Sequence, residues 1–305
     1  MSFKEKIQHK YALSEQGAKD MIKAFVSVTI SDIVLMFPVG MLFVAIIAAF
    51  SSCGGQNKTA SDVDSLAFDS IVVDTVAMLD SGKNDAKCEI SLSVLYAKGT
   101  NAEVVNDSIL TSGIFNVNMY KPTLKAGMHA DIRQAVDDFV AAYIADYREE
   151  CKKLMSMGVN GVPLNYTYMV KSGVSHEKTG VTTYSFETYS YTGGAHGTSL
   201  TKALNFDSAT GKKIGKADFF VAGSDSVVTG KIVKSLSRTY KAANLDGLKE
   251  KGVFAFSEPF VPDNFVLGKD SVTFIYQPYE IAAYALGTIK ASVAYSDLDK
   301  VIVKK

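Results

Sequence analysis

From Cys88 onward the chain alternates between two hydrophobic rhythms. Ile90, Leu92, Val94 and Tyr96 recur at every second position, the period of a strand with one buried face. A second strand is predicted from Ser112 to Tyr120, after a turn around Asn101–Asn106. From His129 to about Met157 the rhythm lengthens. Ile132, Ala135, Val136, Phe139, Tyr143 and Tyr147 recur at three and four, opposite Asp131, Arg133, Asp137 and Asp138. This predicts a long amphipathic helix stopped by Gly158. Period two returns in Tyr166, Tyr168 and Val170, in Val181–Tyr191 beyond a polar hairpin at Ser172–Gly180, and in Leu200–Phe206. Val228, Ile232, Val233 and Leu236 mark a second helical segment over Asp225–Ala242, with a shorter helix at Leu245–Lys251. Strands at Asn264–Leu267, Ser271–Tyr276 and Ile289–Ala294 follow, then a small helix or turn at Ser296–Leu298. Strands and helices in blocks predict an α+β class with a mainly antiparallel sheet.

The start of the chain carries a different signal. Lys4, Lys6, Lys10, Lys19 and Lys23 precede Ile33–Phe50, which holds no charge and runs into Ser51-Ser52-Cys53-Gly54-Gly55. A basic stretch, an apolar stretch and small residues form the layout of an export signal. A cysteine at that junction can be alkylated with diacylglycerol, so residues 1–53 resemble a lipoprotein signal with Cys53 as the lipidation site. The alternative is an uncut anchor, since Ala24–Phe50 exceeds the roughly 20 residues a membrane helix needs. Both readings attach the chain to a membrane and place the rest in the cell envelope, in the periplasm or on the outer-membrane surface. Residues 54–86, small and polar and then studded with Asp62, Asp64, Asp69, Asp74, Asp80 and Asp85, predict a flexible acidic linker. The stretch Lys10–Asp20 with Phe37-Pro38-Val39-Gly40 resembles the opening of Bacteroidetes ABC exporters over residues 1–44. No Gly-x4-Gly-Lys-Ser/Thr phosphate cradle occurs, so this start reads as a fusion or a misjoined frame.

Charge narrows the partners. Lys plus Arg and Asp plus Glu both number 32, giving none of the basic surplus that drives nucleic-acid binding. With Cys53 set aside, Cys88 and Cys151 remain, either as a disulfide joining the first strand to the long helix or as two buried thiols. The histidines lie too far apart for a recognisable metal spacing, and neither a metal nor a cofactor is expected.

Two segments carry the candidate chemistry. One is Tyr191-Thr192-Gly193-Gly194-Ala195-His196-Gly197, followed by Asn205-Phe206-Asp207, Thr210-Gly211-Lys212 and Asp218-Phe219-Phe220. The other runs from Phe274 through Gln277-Pro278-Tyr279-Glu280-Ile281 to Tyr284 and Gly287. Together they resemble the extracytoplasmic DUF3298 family, commonly preceded by a DUF4163-type region. The resemblance implies a DUF4163-like part over 87–190 and a DUF3298-like part over 191–305, packed as one unit. Such domains occur in bacterial lipoproteins, in the N-terminal part of some peptidoglycan deacetylases, and in lysozyme-sensing anti-sigma factor ectodomains. The expected role is a non-catalytic binding domain for a peptidoglycan-related glycan or a lysozyme-like protein. Tyr191, Gly193, Gly194, His196, Tyr279, Glu280 and Tyr284 are the ligand-binding candidates. Gly193 and Gly194 allow positive backbone angles, and His196 at that turn serves either as a ligand contact or as a backbone tie. The rival is a cell-wall hydrolase or deacetylase-associated module pairing His196 with Glu187 or Glu280, which requires those side chains to meet.

Overall fold

The computed structural model describes residues 66–80, 86–115, 131–158 and 164–303. The signal segment, Cys53, the exporter-like start and the first part of the expected linker lie outside them. Strand β1 (Ala67–Met78) pairs antiparallel with β2 (Lys87–Lys98) along its whole length. This corrects the linker expectation for residues 67–78. Ile71 and Ala77 are buried on one face, while Val72, Asp74, Val76 and Met78 point to the other. Alternation, and not overall polarity, decides the strand.

The segment after β2 also departs from expectation. Residues 102–110, read as a turn leading to a strand, form helix α1 (Ala102–Leu110). Val105, Ile109 and Leu110 supply its buried face, and Asn106 is spent on the β2 end, bonding the Ala97 amide and carbonyl at 2.7 and 3.0 Å. Residues 111–115 are a turn, and the remainder of the predicted strand lies outside the described residues. Helix α2 (Ile132–Ser156) stands where the period predicted it. Asp131 caps it by accepting from the Arg133 amide, and Gly158 leaves it at φ 65°.

Crossing by α1 and α2 makes β2 and β3 (Tyr166–Ser175) the parallel pair of the large sheet. Strands β4 (Val181–Tyr191), β5 (Thr198–Asp207) and the short β6 (Lys213–Ile214) then add on antiparallel, in chain order. Both α-helices cover one face of this sheet. Their core joins Phe139, Tyr143 and Tyr147 to Tyr168, Tyr184, Phe186 and Phe206.

A second core gathers around a three-stranded antiparallel sheet, β7 (Phe265–Leu267), β8 (Ser271–Tyr276) and β9 (Ile289–Ala294). Helix α3 (Lys216–Phe219), α4 (Asp225–Thr239), α5 (Leu245–Glu250) and α6 (Tyr295–Leu298) complete it. Side-chain amides fasten the two sheets. Beyond β6 the edge of β5 is open, and Gln277 pairs with both the amide and the carbonyl of Thr201 as a strand would. Asn264 accepts from the Ala203 amide at 2.9 Å, and Asn205 reaches Phe265 and Leu267. A raw strand edge is thereby closed without another strand. The class is α+β with a mainly antiparallel sheet. Among the described residues no helix is long and apolar enough to cross a membrane.

Candidate functional site

The two motif segments, far apart in sequence, meet at one end of β5. Between β4 and β5 the chain turns through Gly193 and Gly194 at φ 88° and 97°, and the Tyr191 hydroxyl donates to the Gly194 carbonyl at 3.0 Å. Between β8 and β9 it makes an excursion that ends in a 3-10 turn at Tyr284–Leu286 and Gly287 at φ 64°. The tip of that excursion lies against the β4–β5 turn. Tyr284 stacks on the His196 ring with centroids 4.0 Å apart and 15° between planes, and Tyr279 leans on Tyr284 at 5.5 Å.

Hydrogen bonds lock this cluster. The Gly197 carbonyl accepts from the Tyr284 hydroxyl at 2.8 Å and from His196 Nδ1 at 2.9 Å. A carbonyl only accepts, so Nδ1 carries the hydrogen, and in the neutral ring Nε2 accepts from the Tyr279 hydroxyl at 3.4 Å. Gly197 itself is buried, and a Cβ there would run into the Tyr189 ring. Tyr279 is 65% exposed and holds φ at 69°, a left-handed conformation that costs a non-glycine residue about 1 kcal/mol or more. The Glu280 amide donates to the Gln277 carbonyl at 3.0 Å, so Tyr279 takes this φ as the third residue of a tight turn begun by Gln277-Pro278.

The carboxylates named with His196 are not bonded to it. Glu280 accepts from the Gln277 amide at 2.7 Å, and Glu187 is exposed on β4. Neither is a hydrogen-bond partner of His196. The Glu280 carboxyl is pushed up from its usual range by burial and by Asp263, against the Gln277 bond. Cys88 and Cys151 are free thiols buried in the first core, so the disulfide that their number allowed is not formed. Burial, followed by Cys151, pushes the Cys88 thiol up to about 12. Among the described residues no cluster of His, Cys, Asp and Glu could hold a metal ion.

Beside the cluster opens a groove of about 1080 Å³ that the motifs did not announce, Gln277 and Glu280 apart. Lys202 on β5, Lys213 on β6 and Lys216 on α3 line it with Asp225, Asp263 and Phe260. One signal could have found it. Leu200, Lys202, Leu204 and Phe206 share a strand face, and a lysine in an apolar phase is out of place.

Residues 217–296 match the family described as protein of unknown function DUF3298, and residues 81–199 match the one described as Deacetylase PdaC. His196 thus falls in the second matched region and Tyr279 and Tyr284 in the first, so the cluster joins the two. A solved DUF3298 family member from Bacteroides fragilis is 22% identical with a TM-score of 0.68, covering 78% of this chain and 94% of its own. Another from Pseudomonas aeruginosa is 17% identical with a TM-score of 0.54, covering 79% and 96%. A search of curated proteins finds no match. The chain therefore has the fold of these DUF3298 proteins, with residues 217–296 similar to the DUF3298 family and residues 81–199 similar to the PdaC family.

Proposed function

We propose that this chain is a membrane-anchored extracytoplasmic lipoprotein whose folded part binds a cell-envelope ligand without catalysing its conversion. Peptidoglycan-related glycan is the ligand class that suits the site best. The observation that carries the reading is the locked cluster of Tyr279, Tyr284 and His196, with Tyr279 65% exposed. Sugar rings present apolar C–H faces that pack on tyrosine, while hydroxyls and the imidazole edge meet the polar rim. Because the hydroxyls are already anchored, little side-chain freedom remains to be lost on binding. The rival pairing of His196 with a carboxylate finds no support, because among the described residues the ring bonds the Gly197 carbonyl and the Tyr279 hydroxyl and neither Glu187 nor Glu280. The PdaC-like match fits an envelope setting, since the resembled family includes the N-terminal part of peptidoglycan deacetylases. A lysozyme-like protein is a second reading, favoured by Glu280, which follows Tyr279 in the chain and offers a basic partner opposite charge.

The test is co-sedimentation of the full chain with insoluble peptidoglycan, followed by titration with soluble glycan fragments. Replacing Tyr279 and Tyr284 together with Ala should weaken binding about tenfold or more while far-UV circular dichroism stays unchanged. Undiminished binding by that variant would sink the aromatic site, and release of reducing ends would sink the non-catalytic role. Binding of lysozyme with indifference to glycan would move the assignment to the second reading. Intact mass from native membranes checks the anchor, which requires an acylated Cys53 at the N-terminus.

A further inference from the structure

Opposite the α-helices, the large sheet presents a face crossed by two rows of side chains. The small sheet covers part of that face, where Thr183 and Asn205 are buried and Asn205 donates to the Phe265 carbonyl. Strand register fixes the rows. Asp74, Ser91, Met169 and Tyr189 stand side by side on β1, β2, β3 and β4, and Val76, Glu89, Thr167 and Tyr191 form the next row. Over β1 to β3 the rows enclose a cavity of about 350 Å³, lined by Asp74, Val76, Glu89, Ser91, Thr167 and Met169. At β4 both rows end in tyrosines that belong to the aromatic turn. The Tyr189 ring packs so closely on Gly197 that a Cβ there would meet it, and the Tyr191 hydroxyl donates to the Gly194 carbonyl. Cavity and aromatic cluster are thus joined along one surface.

The chemistry of the rows selects their occupant. Met169 is 43% and Val76 58% exposed, so apolar surface is offered at the cavity. Hydrogen-bonding groups stand between them. Ser91 donates to Asp74 at 2.6 Å, and Glu89 pairs with Lys87 at 2.7 Å. Apolar side chains interleaved with acceptors suit sugars, whose rings have C–H faces and a rim of hydroxyl donors. The lining holds two carboxylates and no cation, which disfavours a polyanion. The rows cross the strands, and strands about 4.8 Å apart put about 14 Å between β1 and β4, a span for more than one ring. We propose that a linear, uncharged glycan chain lies across these strands, with one end on the His196–Tyr284 cluster and the following sugars over Tyr189 and Met169 into the cavity beside Ser91 and Asp74. This rests on the glycan reading of the aromatic cluster and extends it from a contact for one sugar to a track for several.

The experiment is calorimetric titration of the full chain with the dimer and the hexamer of N-acetylglucosamine. The hexamer should bind about tenfold or more tightly than the dimer. Met169→Lys and Val76→Lys alter exposed side chains of paired strands, so both should fold normally. Each should weaken the hexamer several-fold more than the dimer, because a short glycan stays on the aromatic cluster. Tyr279→Ala combined with Tyr284→Ala should weaken both oligomers. Equal affinity of the wild type for the two oligomers overturns the track and leaves the cluster as a site for short glycans. Hexamer affinity indifferent to Met169→Lys and Val76→Lys, or a loss of both oligomers to the same degree, overturns it as well. Binding of neither oligomer removes the glycan reading and the track with it. A wild-type dimer in sedimentation velocity that Val76→Lys disperses, with hexamer affinity unchanged, would give the open face to a second copy of the chain instead.

Discussion

Two groups of tyrosines in this protein face opposite environments, and their hydroxyls invert the usual expectation. Tyr143 and Tyr147 on the inner face of α2 and Tyr168 on β3 are each 2% exposed or less, with Phe139, Tyr143 and Tyr168 packed at ring centroids 4.9–5.8 Å apart and Tyr147 on Tyr166 at 5.1 Å. The hydroxyls of Tyr143 and Tyr147 have no hydrogen-bond partner there, whereas Tyr168 donates to the Ile114 carbonyl at 2.9 Å. Tyr191, Tyr279 and Tyr284 stand at the surface, and every one of their hydroxyls is bonded. Buried polar atoms are normally the satisfied ones. At Tyr143 and Tyr147, ring area outweighs the loss of a bonded hydroxyl. At the surface, ring area gains little, and hydroxyl bonds instead hold the rings in one arrangement. A set of rings fixed before any ligand arrives is what a binding surface requires and a core does not.

The sharpest way to break this contrast is truncation. Tyr143→Ala should cost about 3–5 kcal/mol in urea denaturation, because it opens a cavity in a packed aromatic cluster. Tyr279→Ala should stay within about 0.5 kcal/mol while damaging ligand binding. Comparable losses from both would mean that the exposed ring is structural after all.

Alkaline pH separates the groups next. Burial pushes Tyr147 up to about 12, and the Cys88 thiol to the same value. In the unfolded chain these groups ionise from 10.0 and 9.0. Above those values the unfolded chain releases protons that the native protein keeps, so the stabilising contribution is full below pH 9 and drains away as pH rises toward 12. Denaturation midpoints should fall across that window, and Tyr147→Phe should flatten the fall. A midpoint that ignores pH there would contradict burial of these groups.

Smaller effects refine the picture. Tyr284→Phe deletes the bond to the Gly197 carbonyl and should cost about 1 kcal/mol, with ligand affinity reduced alongside. Tyr143→Phe removes a hydroxyl that has no partner, so its effect should be near zero or stabilising by up to about 1 kcal/mol. A clear destabilisation by Tyr143→Phe would show that its hydroxyl is satisfied in solution.

What was legible in the chain was local. The three-and-four spacing of Phe139, Tyr143 and Tyr147 placed α2, and Gly193 and Gly194 announced a turn of positive φ, because helix period and glycine freedom belong to neighbouring residues. Local composition misled in two places. The aspartates of β1 concealed its alternating apolar face, and asparagines at 101 and 106 made α1 resemble a turn, although Asn106 serves the end of β2. The candidate residues could be named from their motifs, but their meeting could not. Tyr279 and His196 are 83 positions apart, and they touch because the β8–β9 excursion lies against the β4–β5 turn, with Gln277 and Asn264 closing the edge of β5 nearby. The groove is further from view, since Lys202 and Lys213 come to line one cleft only when β6 folds back along β5. Periodicity is a property of one segment, whereas a site is a property of distances between segments, and those distances are decided by how two sheets share an edge.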